Sequence, residues 1–234
     1  MSIKKHTDQL GREVAFTFPP KRIVSLVPSQ TELLYYFGLD EEVKGITKFC
    51  VHPDVWYRNK ARIGGTKKID HKAIEQIKPD LIIANKEENT REDIERLEQK
   101  FPVWISDIKN FDDALEMIEL LGEATDREEK AKTLIESLNS AFSKLDLPTH
   151  PKKVLYVIWH NPIMVAGKNT FIDEMLRKAG FQNAIIDPYS RYPELTQDDI
   201  RALKPELIFL SSEPFPFAEK HIQSFQSEHE HTKV

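Results

Sequence analysis

The sequence predicts an α/β protein of two similar lobes, each a parallel sheet covered by helices, with one long rigid helix joining them. Three observations in its 234 residues carry this expectation. Apolar strand-like runs alternate with amphipathic stretches, one ten-residue phrase recurs, and a helical segment in mid-chain interrupts the alternation. Strands separated by helices pair in parallel, because parallel neighbours need a crossover connection.

In the first half, KRIVSLVPS (21–29) is an apolar run between prolines and predicts a buried strand. TELLYYFGL (31–39) has helical spacing and a stop at Gly38. VKGIT (43–47) predicts a second strand, and HKAIEQIKPD (71–80) a short helix ending before Pro79. LIIA (81–84) is the next strand, TREDIERLEQK (90–100) a Thr-capped helix with a wet face, and PVWIS (102–106) a closing strand.

Residues 111–145 carry apolar side chains at three- and four-residue spacing, among them Leu115, Ile118, Leu121, Leu134, Leu138 and Phe142. They predict a short helix, a break near Gly122, and a helix of roughly 20 residues, about 30 Å long. After the prolines of 146–153 the alternation restarts: strands at 154–159 and 207–210, helices at 170–181, 196–206 and 217–225.

IEQIKPDLII (74–83) and IRALKPELIF (200–209) are nearly the same phrase, and Lys78 and Lys204 stand 126 positions apart, about half the chain. Any helix–turn–strand junction can use such a phrase, with proline setting the turn and the lysine and acid left in water. Here the flanking elements repeat in the same order as well, which favours two equivalent lobes. The expected divisions are 1–109 for the first lobe, 110–147 for a helical linker and 148–234 for the second. In open α/β sheets ligands bind beyond the carboxyl ends of the strands, so the cleft is expected among the strand-end loops of both lobes.

Composition narrows the function. Hydrophobic residues make up 40% and charged residues 30%, as in a folded globular chain, and the net charge of −5 disfavours a general nucleic-acid binder. Cys50 is the single cysteine, so no intrachain disulfide and no paired-cysteine metal motif is possible. RIGGTKK (62–68) is not a dinucleotide fingerprint, and no P-loop, GxSxG or HExxH occurs. The N-terminus, MSIKKHTDQLGREVAF, has a basic start without an apolar run, so it reads as neither signal peptide nor membrane span.

KRIVSLVPSQTELLYYFGL with IEQIKPDLIIA resembles the substrate-binding proteins of ABC importers for iron-siderophores, haem and vitamin B12, the helical-backbone metal receptors. NPIMVAGKNTFIDEMLRKAGFQNAI (161–185) and SRYPELTQDDIRALKPELIFLSSEPFPF (190–217) resemble the cobalamin-binding branch. The resemblance covers nearly the whole chain. It implies two Rossmann-like lobes of the class III periplasmic-binding kind, no catalysis and no intrinsic cofactor. A cobalamin or ferric chelate is the implied cargo, an ABC permease the partner, and a monomer the form. It also implies a periplasmic or membrane-associated place. The absence of a leader in this chain points instead to the cytoplasm, and to a corrinoid or metal-chelate handler without a transporter. An α/β enzyme of unknown reaction is the remaining alternative. Family members usually continue past the EKHI helix with a further strand and helix, so the second lobe is expected to lack its closing elements.

A large flat chelate needs aromatic or apolar walls and a few polar groups. The resemblance places His52, Thr66 and Asn85 against the ligand on the first lobe, and Met164 and Tyr192 on the second. Of these Tyr192 alone keeps aromatic character, so Trp56, Trp159, Phe215 and Phe217 are taken as compensating walls. A tryptophan at a strand–loop junction equally often packs in a core, and Trp104, inside a strand, is expected to do so. His52 and His160 sit in loops where a neutral imidazole could meet a metal, and Arg191 is placed to bind a carboxylate or phosphate. Lys67 and Lys68 become candidates if the ligand is negatively charged. His71, His221, His229 and His231 are expected in water. The family docks its transporter through one acidic residue per lobe. Asp198 matches on the second; on the first the position holds Lys72, with Glu75 one turn away.

Overall fold

The computed structural model describes residues 2–229 and 231–234. The chain falls into two compact units, Met1–Ile108 with Asp112–Asn139, and Lys109–Phe111 with Ser140–Val234.

The first unit opens with an antiparallel hairpin, β1 (Ser2–Thr7) and β2 (Glu13–Phe18). This hairpin was not expected from the sequence; EVAFTF alternates, with Val14 and Phe16 buried and their neighbours not. The turn is closed by Asp8, whose carboxylate accepts the amides of Leu10 and Arg12 and the Arg12 guanidinium.

A five-stranded parallel sheet follows, in the order β5 (Ala61–Arg62), β4 (Val43–Ile46), β3 (Ile23–Ser25), β6 (Leu81–Asn85), β7 (Val103–Ser106). Apart from the short edge strand β5, its strands are buried on both faces, and the side chains divide by parity. Ile23, Leu81, Ile83 and Trp104 enter one core. Val24, Ile82, Ala84 and Val103 enter the other. The first core is covered by α1 (Pro28–Tyr36), α2 (Asp54–Asn59), α5 (Phe111–Thr125) and α6 (Glu128–Ser143). The second is covered by α3 (His71–Ile77) and α4 (Arg91–Glu98). Each fully buried aliphatic side chain contributes about 1.5–3 kcal/mol, so helices on both faces are required.

The short helix and the helix of roughly 20 residues expected in mid-chain are two helices of near-equal length, 15 and 16 residues. The chain turns at Asp126, which takes a left-handed conformation (φ 62°), rather than at Gly122. Gly122 serves another purpose. A Cβ there would lie 2.5 Å from the Ala131 Cβ, so its absence lets α6 press against α5.

The second unit holds a sheet built on β8 (Lys152–Trp159). β12 (Leu207–Leu210) runs parallel along one edge of β8. Along the other edge lie β10 (Phe181–Asn183), parallel, and then β9 (Ile163–Val165), antiparallel. β11 (Glu194–Leu195) extends it antiparallel to β9. This sheet is therefore mixed, where a wholly parallel one was expected. The reason is chain length: His160–Pro162 is too short for a crossover, so the strand can only fold back. α7 (Phe171–Lys178), α8 (Gln197–Leu203) and α9 (Glu219–Glu228) complete the unit.

The repeated phrase adopts the same local structure twice. α3 and α8 end on Lys78 and Lys204, both left-handed (φ 53° and 50°). The acid after each proline is not left to water alone. Asp80 accepts the backbone amides of Lys21 and Arg22 at 2.7 and 2.8 Å, at the entrance to β3. Glu206 accepts the amide of Lys153 at 2.9 Å, at the entrance to β8. The residue at each entrance returns the bond: Arg22 caps the Ile77 carbonyl and Lys153 the Leu203 carbonyl. Each phrase thus staples its helix to the neighbouring strand.

Asp80→Ala removes the acceptor for two amides and is expected to lower stability by about 1–3 kcal/mol, read by denaturant unfolding. Glu206→Ala, losing one amide contact, is expected to cost less.

Candidate ligand-binding site

In each unit the loops beyond the carboxyl ends of the strands gather the residues of interest. Under those of the first unit lies a small polar network. Thr31 Oγ1 donates to Ser25 Oγ at 2.8 Å and reaches Cys50 Sγ at 3.1 Å, where Thr47 also arrives. Gln30 and Asn85 both donate to Ser106 Oγ. Buried and mutually bonded, these groups hold the ends of β3, β6 and β7 at a common level.

Asn85 is committed to this scaffold. Its Oδ1 accepts the amides of Glu87 and Glu88, and its own amide donates to Asn89. Thr66 is largely buried, and its carbonyl accepts from Asn89 Nδ2 at 3.0 Å. His52 is exposed in the loop before α2. Trp56 departs from expectation. It is 1% exposed, packs edge-on to Tyr35 and donates its indole N–H to Asp40. It is a core residue, because helix α2 turns its ring inward among Leu39, Val43 and Cys50. Trp104 is buried as expected.

The sequence names no ligand role for Lys48, Phe49 and Arg96, and names Lys72 only at the docking position. They line a hollow of about 770 Å³ together with Thr66, Lys67 and Lys68. The signal was present in the basic residues of 48 and 67–72, but the place of Arg96, on α4, could not be known before folding.

In the second unit several of the expected residues come together. Trp159 meets Phe215 at a centroid distance of 5.4 Å, and His160 meets Phe215 at 5.6 Å. Met164 is the cross-strand partner of Trp159. Phe217 and His221 join the cluster, within 4.7 and 5.2 Å of Phe215. Trp159 stays 37% exposed, presenting part of an aromatic wall to solvent. Tyr192 is equally exposed and lies under the Arg191 guanidinium at 5.6 Å. Arg191 is anchored by its Nε to the Asn169 carbonyl at 3.0 Å.

Residues 23–233 match the family described as periplasmic binding protein. The chain belongs to the periplasmic binding protein family.

A substrate-binding lipoprotein of an ABC transporter from Bacillus subtilis, YvrC, is 29% identical over 212 residues, covering 86% of this chain and 67% of the relative. The vitamin B12-binding protein of Vibrio vulnificus is 26% identical over 202 residues, covering 82% and 72%. Among solved structures, the periplasmic haem-binding protein HutB of Vibrio cholerae superposes with a TM-score of 0.76 at 21% identity, covering 90% of this chain and 84% of that one. This periplasmic binding protein is thus of the kind that serves ABC transporters, and its fold is theirs. No helix among its described residues is long and apolar enough to cross a membrane.

The residues expected to dock a transporter lie on α8, where Asp198 is in the first turn, and on α3, where Glu75 lies one turn beyond Lys72. Asp198 is exposed and pairs with Arg201 at 2.7 Å. Glu75 pairs with Lys100 at 2.5 Å, and Lys72 is exposed.

Three histidines expected in water are not there. His71 bonds Asp93 at 2.6 Å. His221 is buried and accepts the Ala218 amide at Nδ1. His229 is buried and bonds Gln197 at 2.8 Å. Their positions on or beside amphipathic helices turn them inward, which sequence spacing alone does not reveal. Burial lowers the His221 pKa below its ordinary 6.5, with further lowering from Lys220 and His160. Burial likewise lowers His229, and burial with Lys4 lowers His6.

In the folded protein these imidazoles resist protonation, whereas the unfolded chain takes up protons near pH 6.5. Their contribution is present above that pH and is lost as pH falls toward the lower folded values. The thermal midpoint is therefore expected to drop on acidification below 6.5, and His221→Asn, which keeps an acceptor for the Ala218 amide, to shallow the drop.

Proposed function

We propose that this protein is the substrate-binding component of an ABC importer and carries a metal chelate of the cobalamin or iron-siderophore class. The observation that carries this is the family match over 23–233. It is joined by an aromatic wall, Trp159 with Phe215 and Met164, at strand-end loops. A wall of that kind suits a broad, flat, amphipathic ligand, with Arg191 and Tyr192 as its polar neighbours. The vitamin B12-binding relative and the haem-binding structural neighbour support a metal chelate as cargo. The protein binds and releases without catalysis and needs no cofactor of its own. A permease of an ABC importer receives the cargo, with Asp198 and Glu75 as docking contacts. The place of action is the periplasm or the membrane surface, by analogy with the lipoprotein relative.

Lys72 favours a second reading. It occupies, on α3, the place that Asp198 holds on α8, so the two docking contacts would not match in charge. That departure fits a chelate handler that meets no transporter. Fractionation of the native host separates the two: recovery with membrane or periplasm supports the importer, and recovery in the cytosol supports the handler.

Calorimetric titration with cyanocobalamin, haemin and ferric siderophores tests the cargo. At least one is expected to bind at micromolar affinity or tighter, and binding weaker than about millimolar for all of them would overturn the proposal.

A further inference from the structure

The hollow of the first unit has a charge balance unlike the rest of this acidic chain. Lys48, Lys67, Lys68, Lys72 and Arg96 line it, and Asp70 is the one carboxylate among its lining residues. Asp70 is already engaged, capping α3 through the Ala73 amide at 3.1 Å. His71 occupies Asp93. Lys67 donates to the Glu87 carbonyl, a neutral partner. Arg96 lies within the influence of Glu75, whose carboxylate pairs with Lys100.

The floor of the hollow is shaped for close approach. Gly64 has φ +91°, and a Cβ there would meet the Lys68 carbonyl oxygen at 2.5 Å. A Cβ on Gly65 would meet the Phe49 ring at 3.0 Å and Lys48 Cε at 3.4 Å. The missing side chain lets Lys48 and Phe49 settle over the loop, with the Lys48 ammonium 5.0 Å from the Phe49 centroid. Phe49 is 51% exposed, so a ring stands beside the cations.

Clustered like charges repel one another unless an anion is gathered among them, and ammonium and guanidinium groups bind carboxylate and phosphate oxygens strongly. A concave, aromatic-edged hollow suits a small molecule better than the surface of a protein. We propose that this hollow is an anion subsite, and that the cargo is a small chelate rich in carboxylate, phosphate or phenolate oxygens rather than a neutral corrinoid. The inference rests on the binding-protein reading above and narrows its ligand class.

The test is calorimetry on the full chain with citrate, pyrophosphate, ferric citrate and cyanocobalamin. It is run on the wild type, on Lys67→Gln with Lys68→Gln, and on Lys220→Gln, an exposed lysine of α9, as control. Citrate or pyrophosphate is expected to bind the wild type and the control alike. Binding is expected to fall about tenfold or more in the double variant, as for loss of a charge-assisted hydrogen bond. It is also expected to weaken between about 50 and about 500 mM salt. No anion binding, or equal losses in the control, overturns the inference. Cyanocobalamin binding that ignores Lys67 and Lys68, with no anion bound, also overturns it while leaving the importer reading intact. Anion binding with no chelate bound supports the subsite and removes the chelate reading. An acidic peptide that displaces citrate at far lower concentration would assign the surface to a protein partner and overturn the small-molecule class.

Discussion

The structure depends on how each crossover helix is fastened to the strand beside its own. In both units a carboxylate just after a proline accepts backbone amides where the neighbouring strand begins. Without that acceptor the amides of Lys21, Arg22 and Lys153, at the entrances to β3 and β8, would lose their partner. Lys78 and Lys204 accept left-handed backbone so that the proline and the acid can reach this position. Local strain of order 1–2 kcal/mol is thereby offset by several hydrogen bonds that set the register of a whole sheet.

That register determines what the strand ends can present. In the first unit Thr31 bonds Ser25, and Gln30 and Asn85 bond Ser106, beneath the loops, so the loops stand on a rigid floor. In the second unit the floor is aromatic. The short return from β8 to β9 puts Met164 opposite Trp159, and Phe215 packs against Trp159. The two units share a plan of construction and differ in chemistry: cations over a glycine turn in one, aromatic rings in the other. Buried side-chain atoms without a partner among the described residues occur in both units, His6 Nε2 and Gln30 Oε1 in the first, His160 Nδ1 and Ser211 Oγ in the second.

Much of the fold was legible because strands buried on both faces write continuous apolar runs, and helices write capped periodic ones. LIIA, VWIS and LIFL appear as strands within a residue or so of where they were expected. The mid-chain helix was misjudged because Gly122 looks like a stop when only its neighbours in sequence are considered. Its reason is Ala131, nine positions on, and a contact between helices. Trp56 was misjudged for a similar cause: a loop-edge tryptophan reads alike whether its ring turns toward solvent or toward Asp40. The short strands β9, β10 and β11 were missed because two- and three-residue strands have no period to detect.

By itself, the sequence determined the α/β alternation, the repeated junction and the family, because each is written in local patterns of polarity and turn chemistry. Only the tertiary structure decided which residues meet. It brought Arg96 of α4 to the lysines of the 64–72 loop, buried His221 and His229, and made the second sheet mixed. Such outcomes depend on contacts between residues distant in the chain, whose energies belong to pairs and not to positions.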